Sequence, residues 1–188
     1  MNALRKVEWI TPSEYLAMEA ASDVRYEYLD GQVHAMAGGT QAHNLICLNL
    51  VRATGRSPRL GKPCEVFAND MRVQIASRNL YYYPDLVVSC RNEPESRWLS
   101  SPCLIVEVVS PSTAAIDRRE KRNHYLSLPS LHSYVLVEQD APEIIVLRRD
   151  GSAWTEQTLG PVDELLLDCL ELSVPVAEVY ARVPMPSA

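Results

Sequence analysis

The chain has 188 residues, of which 47% are hydrophobic and 22% are charged. It is therefore long enough for a folded domain with a hydrophobic core, and we expect one domain spanning residues 1–188. Its net charge of −6 argues mildly against a nucleic-acid partner, although residues 138–188 carry 10 acidic and 3 basic side chains while residues 1–137 carry 14 and 15. No apolar run reaches the roughly 20 residues that cross a bilayer, and the first residues lack a signal-peptide core, so we expect a cytoplasmic protein without a membrane partner.

The N-terminal third is predicted to hold a helix, a hairpin and a second helix. Thr11 and Glu14 have the spacing of a capping box, which begins a helix that continues to about residue 20. Asp30-Gly31 stands between two alternating segments and predicts a two-residue hairpin turn. The apolar spacing of residues 41–52 predicts a largely buried helix.

Strands dominate the remaining sequence. The predicted elements are strands near 65–67, 71–75, 86–90 and 103–109, a polar loop at 91–101, a helix at 114–128 capped by Ser112 or Thr113, strands at 133–138, 143–148 and 153–159, and a short strand with a terminal helix within 162–183. This order predicts an α/β (α+β) fold, with a mixed central β-sheet flanked by helices.

The cysteines form no recognisable sequence motif. Their number is odd and none belongs to a Cys-x-x-Cys pair. We interpret them as small buried hydrophobes in a reducing compartment, and not as a disulfide framework or a zinc site. They are Cys47, Cys64, Cys90, Cys103 and Cys169.

Two carboxylates mark a candidate metal site. Asp85 directly precedes one apolar strand, and Glu107 lies in the middle of another, 22 residues later. A strand, a loop and a second strand fit this separation, so adjacent strands can bring both side chains to one end of the sheet. A carboxylate is costly to bury without a partner, and a hard divalent cation supplies one. The pattern therefore predicts a site for Mg²⁺ or Mn²⁺.

A lysine on the next helix completes this constellation. Asp117, Lys121 and Tyr125 recur at intervals of four residues and share one helix face. Asp117 with Lys121 alone would be an ordinary surface ion pair. Because the two strand carboxylates lie just upstream, we favour a role for Lys121 at the metal site, where it would orient a water or neutralise phosphate charge.

These motifs resemble the Uma2 family of restriction-endonuclease-like proteins, which belongs to the PD-(D/E)XK nuclease superfamily. The resemblance covers about residues 11 to 180. It rests on Pro84-Asp85, the segment from Ile105 to Thr113, the helix residues Asp117, Lys121 and Tyr125, the segment Tyr26 to Gly31, and Gly38 with His43.

The resemblance implies a restriction-endonuclease-like fold and a set of site residues. Asp85 and Glu107 would be metal ligands, and Glu27 would be an outer ligand. The superfamily's usual strand lysine is replaced by Val109, and Lys121 on the helix matches its displaced position. The implied activity is Mg²⁺- or Mn²⁺-dependent endonucleolytic hydrolysis of nucleic acid, with DNA as the expected partner. A homodimer is expected because cutting both strands of a duplex needs two sites.

Several alternatives stay open. The chain would also fit a catalytically degenerate nuclease fold that binds nucleic acid or protein, or an enzyme acting on a small phosphorylated molecule. Glu27 is equally consistent with an exposed strand residue. For His43 we favour a local cap or a satisfied half-buried side chain over a phosphate contact or a base. Two basic clusters are equally consistent with solvated surface. They are Arg52, Arg56, Arg59 and Lys62, and Arg118, Arg119, Lys121 and Arg122.

Overall fold

A computed structural model describes residues 9–36, 38–92, 97–110 and 116–185, with the side chains of residues 116 and 117 excepted. Within these ranges two mixed sheets and a small hairpin are accompanied by helices, which agrees with the predicted α+β class. The strands are β1 (Tyr26–Leu29), β2 (Gln32–Ala35), β3 (Glu65–Ala68), β4 (Arg72–Ile75), β5 (Leu80–Tyr82), β6 (Leu86–Ser89), β7 (Trp98–Leu99), β8 (Leu104–Val109), β9 (Ser133–Glu138), β10 (Ile144–Asp150), β11 (Ala153–Leu159), β12 (Glu164–Leu167) and β13 (Leu172–Pro175).

The larger sheet has the strand order β11-β10-β9-β8-β6-β3. β8 lies in its interior, paired antiparallel with β6 and parallel with β9. Every residue of β8 is buried, which explains its nearly uniform apolar sequence. Alternate residues of β8 face two different cores, with Leu104 and Val106 on one side and Ile105 and Val109 on the other.

The smaller sheet has the order β2-β1-β5-β4-β7, and β12 pairs with β13 as a separate hairpin. The β1–β2 hairpin turns at Asp30 and Gly31, whose φ angles of 43° and 98° are the left-handed values that a type I′ turn requires. This confirms the predicted hairpin.

Helices cover the sheets at a few defined positions. Helix α1 (Pro12–Ala20) begins with the predicted capping box, in which Thr11 and Glu14 exchange side-chain and backbone hydrogen bonds. Helix α2 (Gln41–Thr54) packs its buried face on the larger sheet. Helix α3 starts with a π-helical segment (Ile116–Lys121), continues as an α-helix (Arg122–Tyr125), and is followed near the C-terminus by α4 (Val176–Val179).

Arg149 connects the end of α3 to the β10–β11 hairpin. Its guanidinium donates to the carbonyls of Leu126, Leu128 and Leu131 at 3.2, 2.7 and 2.7 Å. The same group lies 4.4 Å from the centre of the Trp154 ring, as in a cation–π contact. Carbonyls of the segment that follows the helix are therefore satisfied by a side chain from a different element.

Three features differ from the sequence predictions. β5 and β7 were not predicted, and β7 falls in the segment predicted as a polar loop. The tail forms the β12–β13 hairpin before a four-residue helix, where one strand and a terminal helix were expected. Ser112 and Thr113, the predicted cap of α3, lie outside the described residues.

The interpretation of all cysteines as isolated buried thiols is wrong for two of them. Cys64 and Cys90 form a disulfide. Each lies one residue beyond the paired ends of β3 and β6, where Glu65 faces Ser89, so the antiparallel ladder carries the two side chains to opposing positions. This pairing depends on sheet register, which the spacing of cysteines in the sequence does not reveal.

Candidate active site

The predicted carboxylates lie on neighbouring segments of the chain at one end of the β6–β8 pair. Asp85 directly precedes β6, and Leu86 pairs with Val106, so Asp85 lies beside the segment of β8 that carries Glu107. Oδ2 of Asp85 accepts a hydrogen bond of 2.7 Å from the backbone N–H of Val108. Sheet pairing therefore brings two residues that are distant in sequence to the same place.

Glu107 is a buried carboxylate, with 3% of its surface exposed. Its neighbours on the same face of β8, Ile105 and Val109, are apolar and buried, as the alternation predicts. Polar contacts come from α3, where the Tyr125 hydroxyl donates to Oε1 of Glu107 at 3.1 Å and Nζ of Lys121 lies 3.4 Å from the same oxygen. These partners offset the cost of burying the charge.

Lys121 joins Glu107 to the smaller sheet. Its Nζ lies 2.9 Å from Oε1 of Glu27 on β1, and the Lys121 side chain is 10% exposed. Glu27 also accepts from the backbone N–H of Tyr83 at 3.3 Å, and Nζ of Lys121 lies 5.4 Å from the centre of the Tyr82 ring. Glu27, Glu107 and Lys121 are therefore one ionic cluster, and Glu27 is not an exposed strand residue.

The turn geometry of α3 explains why Lys121 and Tyr125 act on the same carboxylate. They are four residues apart and project from one side of the helix, as predicted. The side chain of Asp117, the third residue of the predicted face, lies outside the described part of the chain.

His43 contacts Asp85 from α2 as a satisfied, half-buried side chain, which agrees with the favoured sequence interpretation. Its Nε2 lies 3.1 Å from Oδ1 of Asp85, while its backbone N–H donates to Oγ1 of the cap residue Thr40 at 3.1 Å. The side chain thus reaches across to a different element, although its backbone belongs to the helix start. The Gly38…His43 segment was the available sequence signal.

Cys47 lies one helical turn after His43 on α2, and the charges of the site affect its thiol. Sγ of Cys47 lies 3.8 Å from Nδ1 of His43. Burial raises the pKa of the Cys47 thiol, and the charges of Asp85 and Glu107 raise it further. Both carboxylates therefore act on one buried atom, which is consistent with their convergence. Cys47 remains a neutral thiol.

Tyr125 is held as a proton donor. Burial raises its pKa well above the ordinary value, and the negative charges of Glu107 and Glu27 act in the same direction. The hydroxyl therefore stays protonated and keeps its hydrogen bond to Glu107 over the whole pH range in which proteins work.

The donor atoms at this site fit a hard divalent cation. They are carboxylate oxygens from Asp85 and Glu107, and each carboxylate can accept more contacts than the hydrogen bonds described above. Mg²⁺ commonly uses one or two protein carboxylates and fills the rest of its octahedron with water and phosphate oxygens. His43, Cys47 and Asp85 also offer ligand atoms within 4.8 Å of one another.

Comparison with known proteins gives a family match and two similar sequences. Residues 12–177 match the family model Uma2, described as "putative restriction endonuclease". Two uncharacterized proteins of Synechocystis are similar: slr1290 is 35% identical over 175 residues, covering 91% of each chain, and sll1609 is 33% identical over 145 residues, covering 74% of this chain and 80% of its own.

A solved structure shares the fold. The crystal structure of a "putative nuclease belonging to DUF820" from Anabaena variabilis superposes with a TM-score of 0.75 at 16% identity, covering 92% of this chain and 98% of that one. At this identity the similarity concerns the fold. Together with the family match over most of the sequence, it leads to one conclusion: this chain belongs to the Uma2 family of restriction-endonuclease-like proteins.

Proposed function

We propose that this chain is a metal-dependent endonuclease that hydrolyses phosphodiester bonds in DNA. The observation that carries the proposal is that Asp85 and Glu107 lie on neighbouring segments at one end of β6 and β8, with Nζ of Lys121 3.4 Å from Oε1 of Glu107. Two carboxylates with an adjacent ammonium group suit a reaction in which a phosphate is attacked by water and negative charge builds up on its oxygens.

Asp85 and Glu107 would hold the cation, Mg²⁺ or Mn²⁺. When bound, such an ion polarises the phosphate and lowers the pKa of a coordinated water. Asp85 is suited to this role because its two oxygens already have fixed partners, the Val108 N–H and His43. Its carboxylate is thereby oriented before any ligand arrives, which reduces the reorganisation that binding requires.

Lys121 would supply positive charge next to the reacting phosphate. Oε1 of Glu27 and Oε1 of Glu107 lie 2.9 and 3.4 Å from its Nζ, so the ammonium group is held in place from two sides. Glu27 would act through Lys121 as a positioning residue, because it holds the lysine from the opposite sheet. An ammonium group fixed in this way can orient a water molecule or stabilise a phosphate oxygen in the transition state.

The first test compares Asp85→Asn and Glu107→Gln with the parent chain on supercoiled plasmid DNA in Mg²⁺ or Mn²⁺. Each change keeps the side-chain shape but removes an anionic ligand. We therefore expect the cleavage rate to fall by at least about a hundredfold, as it does when an enzyme loses one group that stabilises charge in the transition state. Mn²⁺ calorimetry should give one fewer or weaker binding event in each variant.

Glu65→Gln provides the matched control, because Glu65 is an exposed carboxylate at the far end of β3. It should cleave and bind Mn²⁺ like the parent. If Asp85→Asn and Glu107→Gln, with unchanged circular dichroism, cut as fast as the parent, the proposed site is wrong. Parallel assays on RNA and on a small phosphodiester separate a DNA nuclease from an RNase or a small-molecule enzyme.

A second candidate function is a nuclease fold that binds nucleic acid or protein without catalysis. The observation that favours it is Val109, which is apolar and buried where the superfamily places its strand lysine. This candidate predicts binding of DNA without Mn²⁺ uptake and without cleavage. Metal calorimetry on the parent chain therefore decides between the two functions.

We also propose that the active form is a homodimer, since two sites would cut the two strands of a duplex. Sedimentation of the parent chain with and without a short DNA duplex tests this. Purely monomeric complexes that make only single-strand nicks would contradict it.

A further inference from the structure

Four cysteines meet at the end of the larger sheet opposite the carboxylates. Cys64 directly precedes β3, Cys90 directly follows β6, and Cys103 directly precedes β8. These three strands are neighbours in the sheet, so their ends lie side by side. Cys169 reaches the same place from the turn between β12 and β13, where its carbonyl oxygen lies 3.3 Å from Sγ of Cys64.

The sulfur atoms form one compact group. Cys64 and Cys90 are bonded to each other, and Sγ of Cys90 lies 3.4 Å from Sγ of Cys103. The sulfur atoms of Cys90, Cys103 and Cys169 all lie within 4.8 Å of one another. Four sulfurs around one tetrahedral zinc ion, each about 2.3 Å from the metal, would be separated by roughly 3.8 Å. The observed group already has approximately this size.

The group is largely shielded from solvent. Cys64 and Cys103 are 0% and 7% exposed, and Cys169 is half-buried. A sheltered position of this kind limits the access of solvent to a bound metal ion.

We propose that Cys64, Cys90, Cys103 and Cys169 bind one zinc ion as a tetrathiolate site when the Cys64–Cys90 disulfide is reduced. Tetrahedral sulfur coordination is typical of structural zinc. The disulfide-bonded arrangement is then the oxidised, metal-free form of the same site.

The disulfide-bonded form and the zinc-bound form interconvert by a two-electron reaction. A dithiol reductant gives two electrons and two protons to the disulfide and itself becomes a disulfide, and zinc then displaces the protons of four thiols. In the reverse direction hydrogen peroxide accepts two electrons from the cluster. The Cys64–Cys90 bond forms, zinc leaves, Cys103 and Cys169 take up protons, and two further protons convert the peroxide into two waters.

This site is separate from the proposed nuclease centre. Cys90 and Cys103 lie at the end of the β6–β8 ladder where Val88 pairs with Leu104, whereas Asp85 and Glu107 lie at the other end, where Leu86 pairs with Val106. Loss of zinc binding therefore leaves the assignment of Asp85 and Glu107 unaffected, and the two proposals can fail independently.

The test measures metal uptake by the full chain reduced with a dithiol and then freed of reductant. We expect one equivalent of Zn²⁺ by mass spectrometry beyond what the disulfide-bonded chain takes up, and addition of Co²⁺ should give the charge-transfer and visible bands of a tetrahedral thiolate complex. Cys103→Ser and Cys169→Ser should weaken Zn²⁺ binding by at least about tenfold. Cys47→Ser should bind normally, which also shows that the ion is not held by His43, Cys47 and Asp85.

Oxidation of the parent chain provides a second test that does not depend on whether the serine variants fold. Hydrogen peroxide should release the zinc in step with formation of the Cys64–Cys90 disulfide, detected by peptide mapping. The proposal is wrong if the reduced parent has all its thiols but gives no cobalt spectrum. It is equally wrong if folded Cys103→Ser and Cys169→Ser bind zinc as the parent does, or if oxidation yields a Cys90–Cys103 bond without metal release.

Discussion

Glu107 shows how a single buried charge depends on its immediate partners. Both of its described donors, Lys121 and Tyr125, come from one helix face, and the rest of its environment on β8 is apolar. A carboxylate in such a place is stabilised by its polar partners, Lys121 and Tyr125 among them. The residue is therefore sensitive to changes that remove a donor without changing shape.

The first residue-scale prediction concerns Tyr125→Phe. The change removes a hydroxyl that donates to a charged acceptor in a fully buried position, so we expect the free energy of unfolding to fall by about 2 kcal/mol. Urea unfolding measures this loss, and plasmid cleavage should fall because Glu107 is less well oriented. Tyr180→Phe is a control of similar type, because its hydroxyl donates to the backbone carbonyls of Glu138 and Glu143. It should lose stability but keep its cleavage rate, and equal cleavage by the two variants would contradict the role of Tyr125.

The second residue-scale prediction concerns pH. Burial lowers the pKa of His124, Arg78 lowers it further and Glu120 opposes the shift, while its Nδ1 lies 2.8 Å from the Tyr82 hydroxyl. Below about pH 6.5 the unfolded chain takes up a proton at this histidine that the folded chain resists, so folded stability decreases as pH falls towards the lowered pKa.

Urea unfolding between pH 7.5 and pH 5.5 measures this effect. The parent chain should lose more stability over this interval than His124→Gln, which cannot titrate. Identical pH dependence in the two chains would show that His124 does not contribute.

At the scale of elements, the start of α2 places His43. Thr40 caps the helix and donates its hydroxyl to Oε1 of Gln139 at 2.9 Å, while the backbone N–H of Gln139 donates to the carbonyl of Val109. The helix start is thereby fixed to the ends of β8 and β9. This explains how a histidine on α2 can contact the aspartate that precedes β6.

Two adjacent glycines allow a matched test of this placement. A Cβ added at Gly39 would lie 2.9 Å from Nδ1 of His43, whereas a Cβ at Gly38 would meet no atom of the described residues within 4 Å. Gly39→Ala should displace the His43 ring from Asp85 and reduce DNA cleavage about tenfold or more, given the precision that catalytic geometry requires. Gly38→Ala should cleave like the parent, and equal rates for both variants would remove His43 from the site.

Local signals predicted the elements whose stability is local. The Thr11–Glu14 box and the Asp30-Gly31 turn act within a few residues, so their sequence is sufficient to predict α1 and the β1–β2 hairpin. The three-residue β5 and two-residue β7 have too little periodicity, and their pairing partners are distant in the chain. No sequence pattern of that length separates such strands from a loop.

The same distinction applies to the residues of the candidate site. Asp85, Glu107 and Lys121 were predictable because a charge beside or inside an apolar strand is unusual and the helix spacing adds a third group. The contact of His43 with Asp85 and the proximity of Cys103 to Cys90 depend on how α2 and the strand ends are arranged in three dimensions. Spacing in the sequence carries no information about either contact.

For the whole molecule, acidic residues of the C-terminal quarter pair with most of the arginines in the two basic clusters. Arg52 and Arg56 pair with Glu178, and Arg59 pairs with Glu171. On α3, Arg118 and Arg122 pair with Glu138 and Glu156. The two basic clusters therefore present less positive charge to a polyanion than the sequence suggests.

Arg119, an exposed arginine of α3, is the basis of the prediction at this scale. It lies two residues before Lys121 in the chain, and we expect its exposed guanidinium to reach a phosphate backbone bound at the proposed site. Arg119→Ala should weaken DNA binding and lower the slope of log affinity against log salt by about 1. Arg56→Ala, at the opposite end of α2 from His43, should change the slope little. A slope unchanged by Arg119→Ala, or lowered equally by both, would place the DNA elsewhere.

Along the described residues, none of the helices has the length and apolar character of a membrane span.

The guanidinium of Arg149 makes Trp154 a natural optical probe of the helix that carries Lys121 and Tyr125. The same group touches the carbonyls that follow this helix and the face of the indole, so a displacement of one changes the surroundings of the other. The chain has three tryptophans, and replacing Trp9 and Trp98 with phenylalanine would leave Trp154 as the single tryptophan. Its emission would then report, without any attached dye, when a ligand shifts the helix.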